Sequence, residues 1–291
     1  MSLLQAIIMG IVQGVAEFLP ISSSGHLAIF KHILNIDMDT GLLFDVLLHL
    51  GTLVAIFIAF WKDIRELIVE GFGILGAFFS NIGIFFGNLG GKKREYRKVI
   101  NSPYRRFVML ILVSTIPTGI MGILLQSVIE SASETILIPG IFLIFTAVLL
   151  LIADRVQTGT KQADGATWLD AGVIGVAQGF ATMPGLSRSG TTIAACLLCG
   201  FDRNFAVKYS FIMSIPAVLG AVLLEVKDFS PGDIPGSELI SYLIGTVAAA
   251  VVGYICIKTM LVVVRGKKFR YFSVYCLAVG VIAVAVHFMM K

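Results

Sequence analysis

Apolar residues run through this chain in long, even stretches, and polar residues collect in the gaps between them. Six stretches are long enough to carry a helix across a hydrocarbon core of roughly 30 Å: 42–61, 107–126, 137–153, 206–225, 239–262 and 271–289. Two further apolar segments, 3–34 and 169–200, are interrupted near the middle. Pro20 and Pro184 each remove a backbone donor and disfavour helix in the residue before them. Hydroxyls and a glycine follow each proline: Ser22, Ser23, Ser24 and Gly25 in one, Ser187, Arg188, Ser189 and Gly190 in the other. A Ser-rich stretch ahead of an apolar run reads as the N-cap of a second short helix. Each segment is therefore expected as a helical hairpin that enters the membrane partway and leaves on the same side. Its non-helical tip must be buried in protein or line a wet cavity.

Composition agrees with a membrane protein. The hydrophobic fraction is 57% and the charged fraction 14%, against about a quarter charged in soluble domains. The first charged residue is Glu17; a secretory signal has a basic stretch before its apolar core, so residues 1–30 are expected to belong to the mature protein. Cys196, Cys199, Cys256 and Cys276 all sit in apolar surroundings and read as packing residues. No basic, aromatic-interleaved stretch points to nucleic acid.

The distribution of charge orients the spans. Lys92, Lys93, Arg94, Arg97, Lys98, Arg105 and Arg106 crowd into 92–106 against Glu95 alone, and Arg265, Lys267, Lys268 and Arg270 into 265–270 with no acid. Loops 127–136 and 226–238 are acidic. The basic loops are then cytoplasmic by the positive-inside rule, and the six spans alternate. Residues 62–106 begin and end on that side, so the Gly-rich stretch 66–91 is expected to lie at the interface or to dip in and return.

A repeat underlies the pattern. At an offset of 165, Gly10, Gln13, Gly14, Ala16, Ser22, Ser24 and Gly25 fall on Gly175, Gln178, Gly179, Ala181, Ser187, Ser189 and Gly190. Span 42–61 runs inward and its partner 206–225 outward, so the halves are inverted. The expected fold is an all-α integral membrane protein of two inverted-topology repeats, 1–153 and 166–291. Each has a re-entrant hairpin (3–34, 169–200) and three transmembrane helices, with 62–106 inserted in the first. Repeats in membrane proteins place their site where the repeats meet.

The two tips carry the chemistry. Each offers a helix N-terminus and hydroxyls, Ser22 and Ser24 in one and Ser187 and Ser189 in the other, a combination that favours an anion. Arg188 adds a guanidinium able to hold two phosphate oxygens; the plainer reading is a pair with Glu17 that joins the halves. Gln13 and Glu17 are four apart, on one helix face. The Glu17 carboxylate and the His26 imidazole, beside the hydroxyls of Ser22, Ser23 and Ser24 and the phosphate clamp, are what phosphoryl transfer needs for base, nucleophile or acid roles, although His26 alone would read as a core histidine. Asp45 and His49 share a face and either line the cavity, orient His26 or bond structurally. Thr191 and Thr192 either cap a helix or bind phosphate. His32 and His287 read as surface or interfacial residues.

The stretch Gln13-Gly14-Val15-Ala16-Glu17-Phe18-Leu19-Pro20-Ile21-Ser22-Ser23-Ser24-Gly25-His26 resembles the first signature of the bacterial undecaprenyl-diphosphatase family, also called bacitracin-resistance proteins. Pro184-Gly185-Leu186-Ser187-Arg188-Ser189-Gly190-Thr191-Thr192 is similar to the second, and the likeness covers essentially the whole chain. The resemblance implies removal of the terminal phosphate from undecaprenyl diphosphate, so that the lipid carrier is reused in cell-wall synthesis, and with it bacitracin resistance. It implies a site toward the outer side of a bacterial inner membrane and a divalent cation, Mg²⁺ or Ca²⁺. On matching positions it makes Glu17 and His26 catalytic, Ser23 a nucleophile or phosphate ligand, and Arg188 the diphosphate ligand. Ser187 and Thr192 become supporting phosphate contacts, and Gln13 and Glu17 the cation ligands.

The attacking group stays open at this point: Ser23 after His26 takes its proton, His26 itself, or metal-activated water. A type-2 phosphatidate phosphatase is excluded, because its histidine a few residues after S-R is missing and the next histidine after Arg188 is His287. A transporter or flippase of a polyprenyl phosphate would use the same anion clamp. The partners expected are a polyprenyl diphosphate and the bilayer, with a homodimer an open assembly.

Overall fold

The computed structural model describes residues 1–34, 36, 38–91, 93–133, 135–225 and 238–289. Among them twelve helices succeed one another: α1 (Leu3–Phe18), α2 (Ser23–Ile33), α3 (Met38–Ala59), α4 (Trp61–Leu89), α5 (Pro103–Leu124), α6 (Gln126–Ser133), α7 (Leu137–Arg155), α8 (Trp168–Phe180), α9 (Arg188–Leu198), α10 (Arg203–Glu225), α11 (Leu239–Arg265) and α12 (Phe269–Met289). The described residues contain no strand beyond one isolated bridge between Lys161 and Phe201. Helices α4, α5, α7, α10, α11 and α12 are each long and apolar enough to cross a membrane, and α3 adds a shorter apolar helix over Leu43–Ala59. Large apolar side chains stay exposed along them, Ile116, Ile123, Phe145, Val247, Val262 and Ile282 among others. Contiguous apolar surface of this kind marks contact with a membrane. The chain is an all-helical, multi-pass membrane protein.

Local chemistry sets the helix ends at the two interrupted segments. A capping box starts α1, with the Ser2 hydroxyl accepting from Gln5 N (3.2 Å) and Ser2 N donating to Gln5 Oε1 (2.7 Å). It stops at Phe18, ahead of the Leu19-Pro20 step where helix is disfavoured. A matching box of Thr167 and Asp170 starts α8. At 16, 11, 13 and 11 residues, α1, α2, α8 and α9 are no longer than about 24 Å, short of a hydrocarbon core. Helix α1 packs against α2 and α8 against α9, so each pair is a hairpin.

Glycines let the hairpins approach their neighbours. Helix α1 packs most extensively on α11, and α8 on α5. A Cβ on Gly10 would sit 2.2 Å from the Gly245 carbonyl oxygen, and one on Gly175 2.2 Å from that of Ser114. Backbones this close admit no side chain, as expected where small residues form a helix interface in lipid. The main core gathers Phe18, Phe60, Phe107, Tyr209 and Phe211, and a smaller one around Met9, Phe44, Leu48 and Tyr242 packs α1 against α3 and α11.

Of the two expectations for 66–91, the dip and return does not hold, because α4 is a single unbroken helix from Trp61 to Leu89; a helix of this kind is compatible with the other, a stretch lying at the interface. Its glycines sit inside regular helix, with open space around Gly71, Gly76 and Gly83, and no proline interrupts it. Of the acidic loops, 127–136 contains the short helix α6, whereas 226–237 lies outside the described residues.

Candidate active site

The tips of the two hairpins touch. Glu17, on the last turn of α1, is 6% exposed. Its Oε1 accepts an ion-paired hydrogen bond from Arg188 Nη2, on the first residue of α9. Its Oε2 accepts from Ser23 Oγ at 2.8 Å and from Gln13 Nε2 at 3.2 Å. Residues from three helices, the farthest of them 171 positions from Glu17, thus converge on one carboxylate. Gly190 closes the contact: a Cβ there would meet the Pro20 ring carbon Cβ at 3.0 Å.

His26 holds different partners. Its Nδ1 lies 2.8 Å from the Ser22 carbonyl oxygen. A carbonyl only accepts, so Nδ1 carries the hydrogen. Nε2 then accepts, in the neutral ring, from the Tyr275 hydroxyl 2.6 Å away on α12, and the rings stack with centroids 5.7 Å apart. Ser23 Oγ donates its hydrogen bond to Glu17, so the acceptor beside the serine hydroxyl is the carboxylate and not the imidazole.

The two short helices open differently. Ser187 caps α9, its Oγ accepting from Gly190 N at 3.2 Å. Ser22 occupies the same place before α2 but makes no side-chain cap bond; its φ is +71° and its Oγ faces Ser24 Oγ at 3.3 Å. A non-glycine residue in that conformation carries backbone strain, and the first N–H groups of α2 are left without a hydroxyl cap. An uncapped helix start is an anion-binding feature, and here it adjoins Ser23, Glu17 and Arg188.

Other sequence candidates fall on either side of this cluster. Ser187 and Ser189 are buried with their hydroxyls 3.4 Å apart, and Ser187 N donates to Thr146 Oγ1 at 3.1 Å. Thr192 is turned into the core, donating to the Arg188 carbonyl at 2.8 Å and pairing with Ser210. Ser24 is exposed beside the α2 tip. Asp45 pairs with the buried Lys31 of α2, and His49 Nδ1 bonds back to the Asp45 carbonyl at 2.8 Å, so the residue that orients His26 is Tyr275. The Thr191 hydroxyl is buried and has no hydrogen-bond partner among the described residues.

Comparison with known proteins bears on this arrangement. The family model described as bacitracin resistance protein BacA matches residues 6–282. The chain belongs to that family. It is 44% identical over 284 residues to a protein named undecaprenyl-diphosphatase from Methanosphaera stadtmanae, covering 98% of both chains. It is 38% identical to proteins of the same name from Alkaliphilus metalliredigens, over 98% of both chains, and from Methanobrevibacter smithii, over 97% of this chain and 96% of the relative.

For a member of the BacA family, the donors available to a divalent cation are few. Among the described residues no group of three or more His, Cys, Asp and Glu side chains comes together. What the site offers is the Glu17 carboxylate and, one turn away, the Gln13 Oε1, fully buried and without a hydrogen-bond partner among the described residues. Mg²⁺ is commonly held by one or two carboxylates plus substrate phosphates and water. The residues fit a cation shared with a bound diphosphate and do not form a cage of protein ligands.

Tyr275 is the one site residue the sequence did not single out. It sits in an apolar span 249 positions from His26, and a tyrosine there carries no local signal of a polar role; only the contact between α12 and the α2 tip reveals it.

Proposed function

We propose that this protein hydrolyses undecaprenyl diphosphate to undecaprenyl phosphate and inorganic phosphate, at the contact between its two hairpin tips. The observation that carries the reading is the Ser23–Glu17 hydrogen bond of 2.8 Å with Arg188 on the other carboxylate oxygen. A hydroxyl, its base and a guanidinium thus meet beside an uncapped helix start. Family membership over 6–282 and relatives named for this activity support it; those names are a hydrolase's and not a carrier's.

Arg188 and the start of α2 bind the terminal phosphoryl oxygens, and Arg188 has donors to spare, since a guanidinium carries five N–H groups. Ser23 Oγ attacks the terminal phosphorus while Glu17 takes its proton. The bond to the bridging oxygen breaks, and undecaprenyl phosphate leaves. Water then attacks the phosphoserine and frees inorganic phosphate and Ser23. His26 exchanges protons through Nε2, the nitrogen that Tyr275 holds. Arg188 neutralises charge spread over the equatorial oxygens, where most catalysis of phosphoryl transfer arises. Gln13 Oε1 and Glu17 would hold Mg²⁺ or Ca²⁺ together with the diphosphate, adding further charge neutralisation.

The same reading places the two inverted halves, 1–153 and 166–291, in the bacterial inner membrane with the basic loops cytoplasmic. The crosswise packing of α1 on α11 and α8 on α5, with matched glycines at both contacts, supports that relation. Detergent-purified protein given undecaprenyl diphosphate with Mg²⁺ or Ca²⁺ is the test, with lipid and phosphate products separated and weighed. One inorganic phosphate per undecaprenyl phosphate is expected. Free undecaprenol, or no product with either cation, would contradict the proposal.

A further inference from the structure

Helix α4 has two faces of opposite character. Trp61, Ile68, Phe72, Leu75, Phe79, Ile82, Phe86 and Leu89 recur every three to seven residues, and all are exposed. On the opposite face stand Asp63, Glu70, Ala77, Asn81 and Asn88, the surface against which the chain returns toward α5. Asn88 grips the backbone of Arg94, accepting from its N–H at 2.8 Å and donating to its carbonyl at 2.9 Å. Asn81 grips Arg97 in the same way, with both bonds at 2.8 Å. Glu70 then holds Ser102 at 3.0 Å and Arg105 at 2.6 Å, and Asp63 holds Tyr104 at 2.9 Å. Because the asparagines bind main chain, the side chains of Lys93, Arg94, Arg97 and Lys98 stay exposed along the returning segment.

The direction of α4 follows from these contacts. At its start α4 is tied to α10, where Lys208 pairs with Asp63 at 2.7 Å; on the α5 side, as it advances from Asp63 to Gly73, its partners stay within the first turn of α5 and the residues just before it, Ser102 to Arg105. A helix running alongside α5 would meet successive turns; α4 crosses its end. Beyond Gly73 it carries the basic segment with it, so crossing the bilayer would drag four cations into hydrocarbon, where ionised side chains are strongly disfavoured.

We propose that α4 and residues 93–101 form an arm that lies in the plane of the bilayer and holds anionic phospholipid headgroups, on the side that carries the basic loops. Its apolar face sinks among the acyl chains and the strapped arginines and lysines reach the phosphates, the layout of an interfacial amphipathic helix. The inference is independent of the hydrolytic reading, because no residue of the arm belongs to the site.

Two measurements on reconstituted full-length protein test it. Spin labels at I68C, L75C, I82C and L89C, in a Cys199→Ser background whose other cysteines are buried, should report one shallow depth, about 5–10 Å below the headgroups. A depth changing steadily by about 30 Å across the series would mean a crossing helix and would overturn the proposal. So would labels shielded from lipid and cross-linking to a second copy. In mixed phosphatidylglycerol and phosphatidylcholine vesicles, the charge-reversed variant K93E/R94E/R97E/K98E should lose about threefold or more of the anionic lipid enrichment around the protein at low salt. Its phosphate release in detergent should stay unchanged. Undiminished enrichment would overturn the headgroup assignment.

Discussion

The two hairpin tips share a frame and divide the chemistry. Ser22, Ser24 and Gly25 match Ser187, Ser189 and Gly190, yet Ser23 stands where the second tip has Arg188, Glu17 where it has Thr182, and His26 where it has Thr191. One tip therefore carries a hydroxyl, a carboxylate and an imidazole, and the other a guanidinium. The backbones differ as well. The second tip is capped by Ser187, whereas the first leaves α2 uncapped behind a strained Ser22. The two tips meet, and among the positions where they differ are Glu17/Thr182, Ser23/Arg188 and His26/Thr191, which hold the carboxylate, the guanidinium and the imidazole.

The sharpest way to break this comparison is to exchange matched residues. Glu17→Gln should lower phosphate release on the order of a thousandfold, while Thr182→Ala should change it less than about threefold, each measured on folded protein. Similar losses would mean that the tips are not specialised. Next come the matched glycines. Gly10→Ala and Gly175→Ala each force a methyl to 2.2 Å from a carbonyl oxygen. Both should destabilise by about 1–3 kcal/mol, seen as lowered thermal midpoints in detergent. A loss at one only would say that α1 on α11 and α8 on α5 are not equivalent contacts.

Tyr275→Phe removes the hydroxyl on His26 Nε2 but keeps the ring stack. It should lower kcat about tenfold at unchanged KM, the mark of a positioning residue; a raised KM at constant kcat would place Tyr275 on the substrate. The smallest effects concern the caps. Ser187→Ala should cost about 1 kcal/mol through loss of the bond to Gly190 N. Ser22→Gly should stabilise by about 1 kcal/mol by relieving the positive φ, with chemical denaturation reading both. Equal costs at both serines would remove the difference between the tips.

Much of this was legible in the chain. Pro20 and the hydroxyls after it mark the first break, and a pair between Arg188 and Glu17, the plainer of the two readings of that arginine, is what the fold shows although they lie far apart in sequence. Less was legible where a residue's role depends on a neighbour supplied by the fold. Thr192 resembles a phosphate ligand until α10 brings Ser210 to it. Asp45 resembles a partner for His26 until Lys31 occupies it. The course of 66–91 was less legible because loop charge fixes only its two ends; glycine in a helix costs only about 1 kcal/mol relative to alanine, and the stretch forms one continuous helix.

The central claim is that Glu17 and Arg188, from different hairpins, act as one unit on the diphosphate. Phosphate release from undecaprenyl diphosphate by Glu17→Gln, Arg188→Gln and the double variant, all in folded protein, tests it most directly. Groups that act as a unit lose little more when both are removed. Each single variant should therefore fall by about a hundredfold or more, and the double variant should lie within about tenfold of the worse single one. Losses that multiply, or an Arg188→Gln variant with full activity, would contradict a site shared between the hairpins.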